Sequence, residues 1–172
     1  MRAIFIGRFQ PFHNGHLSIL KKIIKENDSV IVAIGSAQYS NTPQNPFSAG
    51  ERIVIINKIL KELNAKEFYI VPIEDVGNDE LWASKIETLS PAFEVVYKNN
   101  PITRRIFAGR DYIVKSPGLI KRDRLSATNI RKLMSSGKNW KNLVPHSVAD
   151  EIIRINGVDR LKILMRAGLE RF

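Results

Sequence analysis

The chain has 172 residues, enough for one domain with a substantial core, and its 44% hydrophobic and 26% charged residues are typical of a soluble globular protein. No apolar run approaches the ~18 residues of a membrane span, and Arg8 interrupts the N-terminal apolar stretch before a secretory signal can form, so neither membrane insertion nor export is expected. The absence of cysteine excludes disulfides, thiolate metal sites and a cysteine nucleophile, and it favours a cytoplasmic location.

Short apolar runs alternate with helical periodicity from the N-terminus onward. The first strand, helix and strand predict a βαβ unit with parallel strands. Further helices are predicted after the Ser48–Glu51 capping box and around Trp82–Leu89. The sequence therefore predicts an α/β fold, a Rossmann-like open parallel sheet of about five strands with helices on both faces and a C-terminal helical segment. The predicted strands are Ala3–Gly7, Val30–Gly35, Phe68–Pro72, Phe93–Tyr97 and Tyr112–Val114.

The C-terminal part of the chain is predicted to contain a loop and helices but no further strand. The prolines and bases of 115-KSPGLIKRDR-124 predict an extended loop, and 126-SATNIRKLM-134 restarts helical periodicity. Gly157 is a predicted helix stop, and the apolar residues within 161–165 predict a last helix packed on the sheet or on a neighbouring subunit. We expect a single domain, residues 1–172, with a Rossmann-like core of about 1–125 and a C-terminal helical part of about 126–172.

The positive charge is concentrated in one segment. Between Lys98 and Lys141 there are twelve lysines or arginines against two acids, Asp111 and Asp123, so this segment carries the whole formal charge of +10. Three interpretations stay open: a solvated basic surface, a site for nucleotide phosphates, or a nucleic-acid interface.

The stretch 7-GRFQPFHNGH-16 holds two of the three histidines. Asn14 is a predicted N-cap, which would place His16 in the first helical turn and His13 just before it, so both rings can point at one spot. That spot lies above the carboxyl end of the first strand, where free helical N–H groups favour an anion such as phosphate. Two alternatives are structural histidines and a metal site, and the latter is disfavoured because cysteine and a nearby glutamate are lacking.

Two motifs together carry a family resemblance. The stretch 7-GRFQPFHNGH-16 matches the (G/x)xFxPxHxGH pattern of the nucleotidyltransferase superfamily of adenylyl and cytidylyl transferases, and 126-SATNIR-131 resembles its second motif, S-x-T-x-(I/V)-R. Within that superfamily, 35-GSAQ-38, 45-NPFSAGER-52 and the pair Leu81-Trp82 are similar to the archaeal nicotinamide-nucleotide adenylyltransferases. Neither a Walker pattern nor a G-x-G-x-x-G is present, so kinase-type and dinucleotide-fingerprint sites lack support.

The resemblance implies that ATP and nicotinamide mononucleotide (NMN) react to give NAD and pyrophosphate. It implies that His13 and His16 contact the ATP phosphates, and that Arg131 holds the departing pyrophosphate. Mg²⁺ would accompany ATP without a protein ligand. The further implied ATP-binding residues are Gly7, Arg8, Phe9, Gln10, Gly15, Arg124, Ser126, Thr128 and Ile130. The implied residues for NMN or NAD are Ser36, Arg52, Asp75, Val76, Asp79, Trp82, Asn100 and Pro101.

Several of these roles have alternatives or consequences. Ser126 and Thr128 are as well explained by helix capping as by phosphate contact. Trp82 is expected to stack on the nicotinamide ring, and Arg52 to help clamp phosphates. Asp79 stands where the archaeal relatives usually have Asn, and its charge would favour the neutral amide over nicotinate mononucleotide.

Other functions remain to be weighed. A transferase of the same superfamily acting on nicotinate mononucleotide, FMN, phosphopantetheine or a CTP-dependent alcohol phosphate would share the motifs. An RNA-binding domain fits less well, because the basic segment has few aromatic stacking residues, so no nucleic-acid partner is expected. By analogy with the archaeal relatives, a homo-oligomer, specifically a hexamer, is expected. Ala127 stands where the archaeal relatives often have Gly, and Lys98 and Asn99 stand where a small residue and Gly are usual.

Overall fold

The computed structural model describes residues 1–118 and 125–169, and within them five parallel strands form one sheet. The strand order is β3-β2-β1-β4-β5, as a Rossmann-like fold requires. The strands are β1 Arg2–Gly7, β2 Ser29–Ile34, β3 Glu67–Pro72, β4 Val95–Tyr97 and β5 Ile113–Lys115.

Helices cover both faces of the sheet. All six residues of β2 are buried, as expected for a parallel strand that is covered on both sides. Apolar residues of α1, α2, α5, α6 and α7 pack in one core cluster, and those of α3 and α4 pack in the other. The helices are α1 Asn14–Glu26, α2 Ala49–Glu62, α3 Asp79–Leu89, α4 Pro101–Ala108, α5 Ala127–Ser135, α6 His146–Arg154 and α7 Gly157–Leu169, with a short 3-10 helix at Lys141–Leu143.

The chain changes direction across the sheet at β1. From β1 it proceeds through β2 to β3 on one side, and then crosses to β4 and β5 on the other side of β1. In such sheets the loops after the two strands flanking the crossing diverge and leave a crevice at their carboxyl ends. The loops after Gly7 and Tyr97 therefore border the place where this fold binds ligands.

The C-terminal helices share the main core rather than standing apart from it. Ile130 of α5, Ile152 of α6 and Leu161 of α7 are each completely buried in the same cluster as the sheet. The guanidinium of Arg160 also forms a salt bridge with Glu51 at 2.7 Å, which joins α7 to the first turn of α2. The C-terminal part thus supports the helices that frame the crevice.

Two expectations about helices are corrected by the structure. Helix α4 is absent from the prediction, although Asn100 accepts a hydrogen bond from the backbone of Thr103 as an N-cap and Pro101 occupies the first turn. Gly157 begins α7 instead of ending a helix, and the positive φ of 53° at Asn156 turns the chain after α6. Gly157 is required by packing, because a Cβ there would lie 2.7 Å from Phe47.

In the described part of the chain, every helix is too short or too polar to cross a lipid bilayer.

Candidate active site

A cleft of about 280 Å³ opens at the carboxyl end of β1, between the first turns of α1 and α5. The structure brings most of the predicted ATP-site residues to its wall. The predicted residues that line it are Arg8, Phe9, Gln10, His13, Gly15, His16, Ser126, Thr128 and Arg131.

Within the described part of the chain, two predicted ATP-site residues do not line this cleft. Gly7 lies beneath it, where a Cβ would meet the Phe9 ring at 2.7 Å. Ile130 is completely buried in the main core, where its side chain packs against apolar neighbours. Arg124 lies outside the described residues.

The two motif histidines cap the first helix together. His13, not Asn14 as expected, is the N-cap of α1, and its Nδ1 accepts a hydrogen bond from the backbone N–H of His16 at 3.3 Å. The Nδ1 of His16 accepts in return from the backbone N–H of His13 at 3.3 Å. The rings stack with their centroids 3.6 Å apart. This is the geometry of a capping box, with imidazoles in place of the usual hydroxyl and carboxylate.

The capping hydrogen bonds decide which ring nitrogens can donate. A nitrogen that accepts from an N–H carries no proton, so each neutral ring bears its proton on Nε2. Burial lowers the pKa of His13 to about 4. Burial, together with the charges of His13 and Lys98, also lowers the pKa of His16 well below its ordinary value. Both rings are therefore neutral near pH 7 and offer two adjacent Nε2–H donors.

Arg131 reaches the same cleft from α5 with part of its guanidinium unsatisfied. It is buried, and its Nη1 donates to the Gln10 carbonyl at 2.8 Å. Its Nε–H is also buried but has no hydrogen-bond partner among the described residues. A buried donor left without an acceptor costs about 1–3 kcal/mol, so the arrangement suits an anion that supplies the acceptor.

The cleft is built to hold negative charge. None of the described residues that line it is acidic, whereas Arg8, Arg131 and the histidine pair contribute cations and donors. The N-terminal turns of α1 and α5 both border it, and helix N-termini carry partial positive charge and unsatisfied N–H groups. Ser126 caps α5 by accepting from the backbone of Asn129 at 3.2 Å. A chain of phosphates fits this donor set.

Arg52, which the resemblance predicts to help clamp phosphates, is held inside the protein by backbone carbonyls. Only 1% of it is exposed, and its guanidinium donates to four backbone carbonyls. It therefore joins the loops after β1 and β2 to α2. The accepting carbonyls belong to Arg8, Gly35, Ser36 and Ser48, at 2.8 to 3.2 Å.

Gln10 is also held within the protein. Its side-chain amide donates to the Phe47 carbonyl at 2.7 Å and accepts from the Phe47 N–H at 3.0 Å. These two bonds fix the loop after β1 against the segment that leads into α2. Only the remaining surface of Gln10 borders the cleft.

The residues predicted for the mononucleotide gather beside the cleft, at the ends of β2, β3 and β4. The Ser36 hydroxyl donates to the Asp75 carboxylate at 2.6 Å, which joins the loops after β2 and β3. Val76 and Asp79 are exposed in the segment leading into α3, which Asn78 caps. The Trp82 ring is half-buried, and its Nε1 has no partner among the described residues.

Asn100 and Pro101 have local roles in this structure. The Asn100 side chain accepts from the backbone of Thr103 at 3.1 Å, and Pro101 starts α4. They therefore shape the turn that follows β4, which borders the crevice.

Two residues that follow β4, Lys98 and Asn99, were not predicted to belong to the site. Lys98 places its Nζ 5.9 Å from the centroid of the Trp82 ring, and the next residue, Asn99, lines the cleft. The side chain of Asn99 donates to the Gly118 carbonyl at 3.1 Å, so two loops meet there. Both residues stand directly after a strand at the crossing point, and that position is the signal by which they could have been found.

Comparison with known proteins identifies the class. The model of the cytidylyltransferase-like family matches residues 4–133, and the chain therefore belongs to that family. A solved structure from Francisella tularensis, a bifunctional NMN adenylyltransferase/ADP ribose pyrophosphatase complexed with AMP and a manganese ion, has the same fold with a TM-score of 0.65 at 22% identity. That alignment covers 96% of this chain but 56% of the other, so the chain spans little more than half of that protein.

Relatives with higher sequence identity indicate the branch of the family to which the chain belongs. The chain is 51% identical over 164 residues to a nicotinamide-nucleotide adenylyltransferase of Picrophilus torridus, covering 95% of this chain and 97% of the relative. It is 49% identical over 163 residues to the enzyme of the same name from Thermoplasma volcanium, covering 95% and 92%. These matches confirm the resemblance predicted from the two motifs and place the chain in this branch of the family.

Proposed function

We propose that the protein transfers the adenylyl group of ATP to nicotinamide mononucleotide, giving NAD and pyrophosphate. One observation carries the chemical part of this proposal. Arg131, whose buried Nε–H has no partner among the described residues, lines the same cleft as His13 and His16, and the described lining of that cleft has no carboxylate. That donor set suits a triphosphate, and the relatives named for this reaction are about half identical to the chain over nearly its full length.

The reaction is a direct displacement at the α-phosphorus. A phosphate oxygen of the mononucleotide forms the new P–O bond, and the bond from the α-phosphorus to the bridging oxygen breaks, so that pyrophosphate leaves with the electron pair. The attacking phosphate is already ionised at neutral pH because its second pKa is about 6, so no general base is needed. This agrees with a cleft whose described lining has no acidic side chain.

Catalysis then depends on positioning and on charge stabilisation of the leaving group. The Nε2–H groups of His13 and His16 would donate to phosphate oxygens as negative charge moves onto the pyrophosphate. Arg131 would hold the departing group through its Nε–H, and the exposed side chain of Arg8, which also lines the cleft, adds a cation. The donors are already oriented by the capping hydrogen bonds, so little reorganisation is needed during the reaction.

The mononucleotide would occupy the neighbouring site between Trp82, Ser36 and Asp75. The half-buried Trp82 ring offers a face for stacking, and aromatic faces attract cationic rings such as a pyridinium. The Ser36 and Asp75 pair lies beside the phosphate cleft, joined to it through Arg52, whose guanidinium donates to the carbonyls of both Arg8 and Ser36. The two substrates would therefore meet above the ends of β1 and β4.

We further propose that Mg²⁺ enters as part of the ATP substrate. The donors of the cleft are cationic or N–H groups, which suit phosphate oxygens and not a metal ion, so phosphates and water would hold the ion.

We also propose a single domain that unfolds cooperatively, a cytoplasmic location and a hexameric assembly. Light scattering on the purified protein tests the assembly, and the mass of a monomer would contradict it.

The direct test mixes purified protein, ATP, Mg²⁺ and NMN, and quantifies NAD and pyrophosphate over time. Equal amounts of the two products support the proposal. Unchanged ATP and NMN at high protein concentration would contradict it. An Arg131→Met variant is a useful comparison, because it preserves the length of the side chain but removes the donors that face the cleft.

A further inference from the structure

Lys98 places an ammonium group among ligand-binding elements without a salt bridge to any described residue. It directly follows β4, and its Nζ makes one long hydrogen bond, 3.4 Å, to the Ile6 carbonyl of β1. Its Nζ also lies 5.9 Å from the centroid of the Trp82 ring. It forms no salt bridge with any residue in the described part of the chain.

This environment disfavours the charge that the side chain carries. Burial and the positive charge of Arg8 lower the pKa of Lys98 to about 8, and the nearby Asp75 carboxylate offsets only part of that effect. The positive charge of Lys98 in turn helps to lower the pKa of His16. An ammonium has three donors, and the protein satisfies one of them weakly. Such a group is stabilised when an anion binds beside it.

The position of Lys98 indicates which substrate would bring that anion. It lies between the Trp82 ring, where a pyridine ring can stack, and the Arg8 and His16 side of the phosphate cleft. The attacking phosphate of a mononucleotide must occupy this intermediate position to reach the α-phosphorus of ATP. A cation there also reduces the repulsion between two substrates that both carry phosphate.

We propose that Lys98 binds an anionic group of the mononucleotide and positions that substrate for attack, an inference that rests on the proposed adenylyl transfer. Two groups have the required chemistry: the 5′-phosphate, present in every mononucleotide, and the ring carboxylate, present only in nicotinate mononucleotide. The position of Nζ between the ring site and the phosphate cleft favours the phosphate.

The test compares wild-type protein with Lys98→Met, Lys98→Arg and the control Lys22→Met, which removes one exposed charge on α1. KM is measured for ATP, NMN and nicotinate mononucleotide, and Kd for each mononucleotide is measured by calorimetry. Loss of a hydrogen bond to a charged group predicts that Lys98→Met raises KM and Kd for both mononucleotides by about 10- to 100-fold. The KM for ATP and all values for Lys22→Met should stay within about twofold of wild type.

Comparing the two mononucleotides shows which anionic group Lys98 contacts. Equal weakening of both mononucleotides supports contact with the phosphate, whereas weakening of the acid alone supports contact with the carboxylate. Unchanged binding of both, or an equal rise in KM for ATP, would overturn the inference. If the wild-type protein makes no NAD, the proposed reaction fails, and the calorimetric Kd values still decide the role of Lys98.

A pH profile provides a readout that a purely structural role would not change. The charged groups near Lys98 are Arg8 and Asp75, and the titratable imidazole of His16, which is neutral near pH 7, also lies near it. Because the pKa of Lys98 is about 8, kcat/KM for the mononucleotide should fall above that pH as the ammonium loses its proton. Lys98→Arg should retain activity at higher pH because a guanidinium stays protonated. Identical alkaline limbs in the two proteins would contradict the inference.

Discussion

The backbone N–H of His13 donates to the Nδ1 of His16 at 3.3 Å, and the backbone N–H of His16 donates to the Nδ1 of His13 at the same distance. This exchange begins α1 and also holds both imidazoles with Nε2 as the donor. One pair of side chains therefore caps the helix and lines the cleft.

Removing the His16 ring should slow the reaction strongly. Loss of one preorganised donor to a developing oxyanion costs about 2.7–4 kcal/mol, so kcat of His16→Ala should fall about 10²- to 10³-fold. Rates of NAD formation at saturating substrates check this. The control is His146→Ala, whose exposed ring pairs only with Asp150 in α6, and its kcat should equal that of wild type. A His16→Ala variant with undiminished kcat would remove the histidine from the mechanism.

The burial of His13 predicts how stability depends on pH. Its pKa is about 4 in the folded protein, against an ordinary value of 6.5, so the unfolded chain binds more protons between these two values. The free energy of unfolding should therefore fall as the pH drops from 6.5 towards 4, by up to about 1.4 kcal/mol per pH unit for this residue.

Denaturant titrations of wild type and His13→Asn across this range measure the effect. Asn preserves an N-cap acceptor but does not titrate, so its stability should depend less steeply on pH. Glu151 does not interfere in most of the range, because Arg154 and Lys58 lower its pKa from 4.5 to about 2, so its contribution begins to be lost only below about pH 4.5. Equal slopes for the two proteins would show that His13 is not buried in its neutral form.

Arg52 should matter chiefly for stability. Replacing it with Leu removes its donors from four backbone carbonyls, of which those of Ser36 and Ser48 keep a backbone N–H donor. Each buried group that is left unsatisfied costs about 1–3 kcal/mol. We expect Arg52→Leu to lower the free energy of unfolding by about 3 kcal/mol or more in denaturant titrations. A variant with full stability and a raised KM for a substrate would instead support a direct phosphate clamp.

Gly7 tests how packing beneath the cleft controls the histidines. A Cβ at Gly7 would lie 2.7 Å from the Phe9 ring, and that ring packs 4.9 Å from the His16 ring between centroids. Gly7→Ala should displace both rings and lower kcat by about 10- to 100-fold. Gly77→Ala is the matched control, since a Cβ there has nothing within 4 Å. Equal kcat values for the two variants would show that the cleft tolerates the shift.

Much of the fold could be predicted because its signals are local. Continuous apolar runs indicated all five strands, and the Ser48–Glu51 capping box marked the start of α2, where both of its hydrogen bonds form. Helix α4 was not predicted because it is only eight residues long and contains two arginines, although Asn100-Pro101 is a recognisable helix start. The role of Gly157 depends on Phe47, which is far away in sequence, so no local pattern could reveal it.

The site was predictable only as far as its motifs extend. The two motifs identified the histidines and Arg131, and the cleft brings them together. The role of Arg52 depends on where three distant loops place their carbonyls, which a sequence does not specify. Lys98 was noticed only as a departure from the family pattern, because its relation to Trp82 arises from the neighbouring positions of β4 and α3.

The most direct test of the histidine pair is a ¹⁵N–¹H correlation spectrum of the imidazoles at neutral pH, with and without a non-hydrolysable ATP analogue. The chain has three histidines, so His146 serves as an internal reference. We predict that His13 and His16 are neutral and protonated at Nε2, and that only the signals of these two rings shift when the nucleotide binds. Protonation at Nδ1, or nucleotide binding that leaves both rings unchanged, would contradict it.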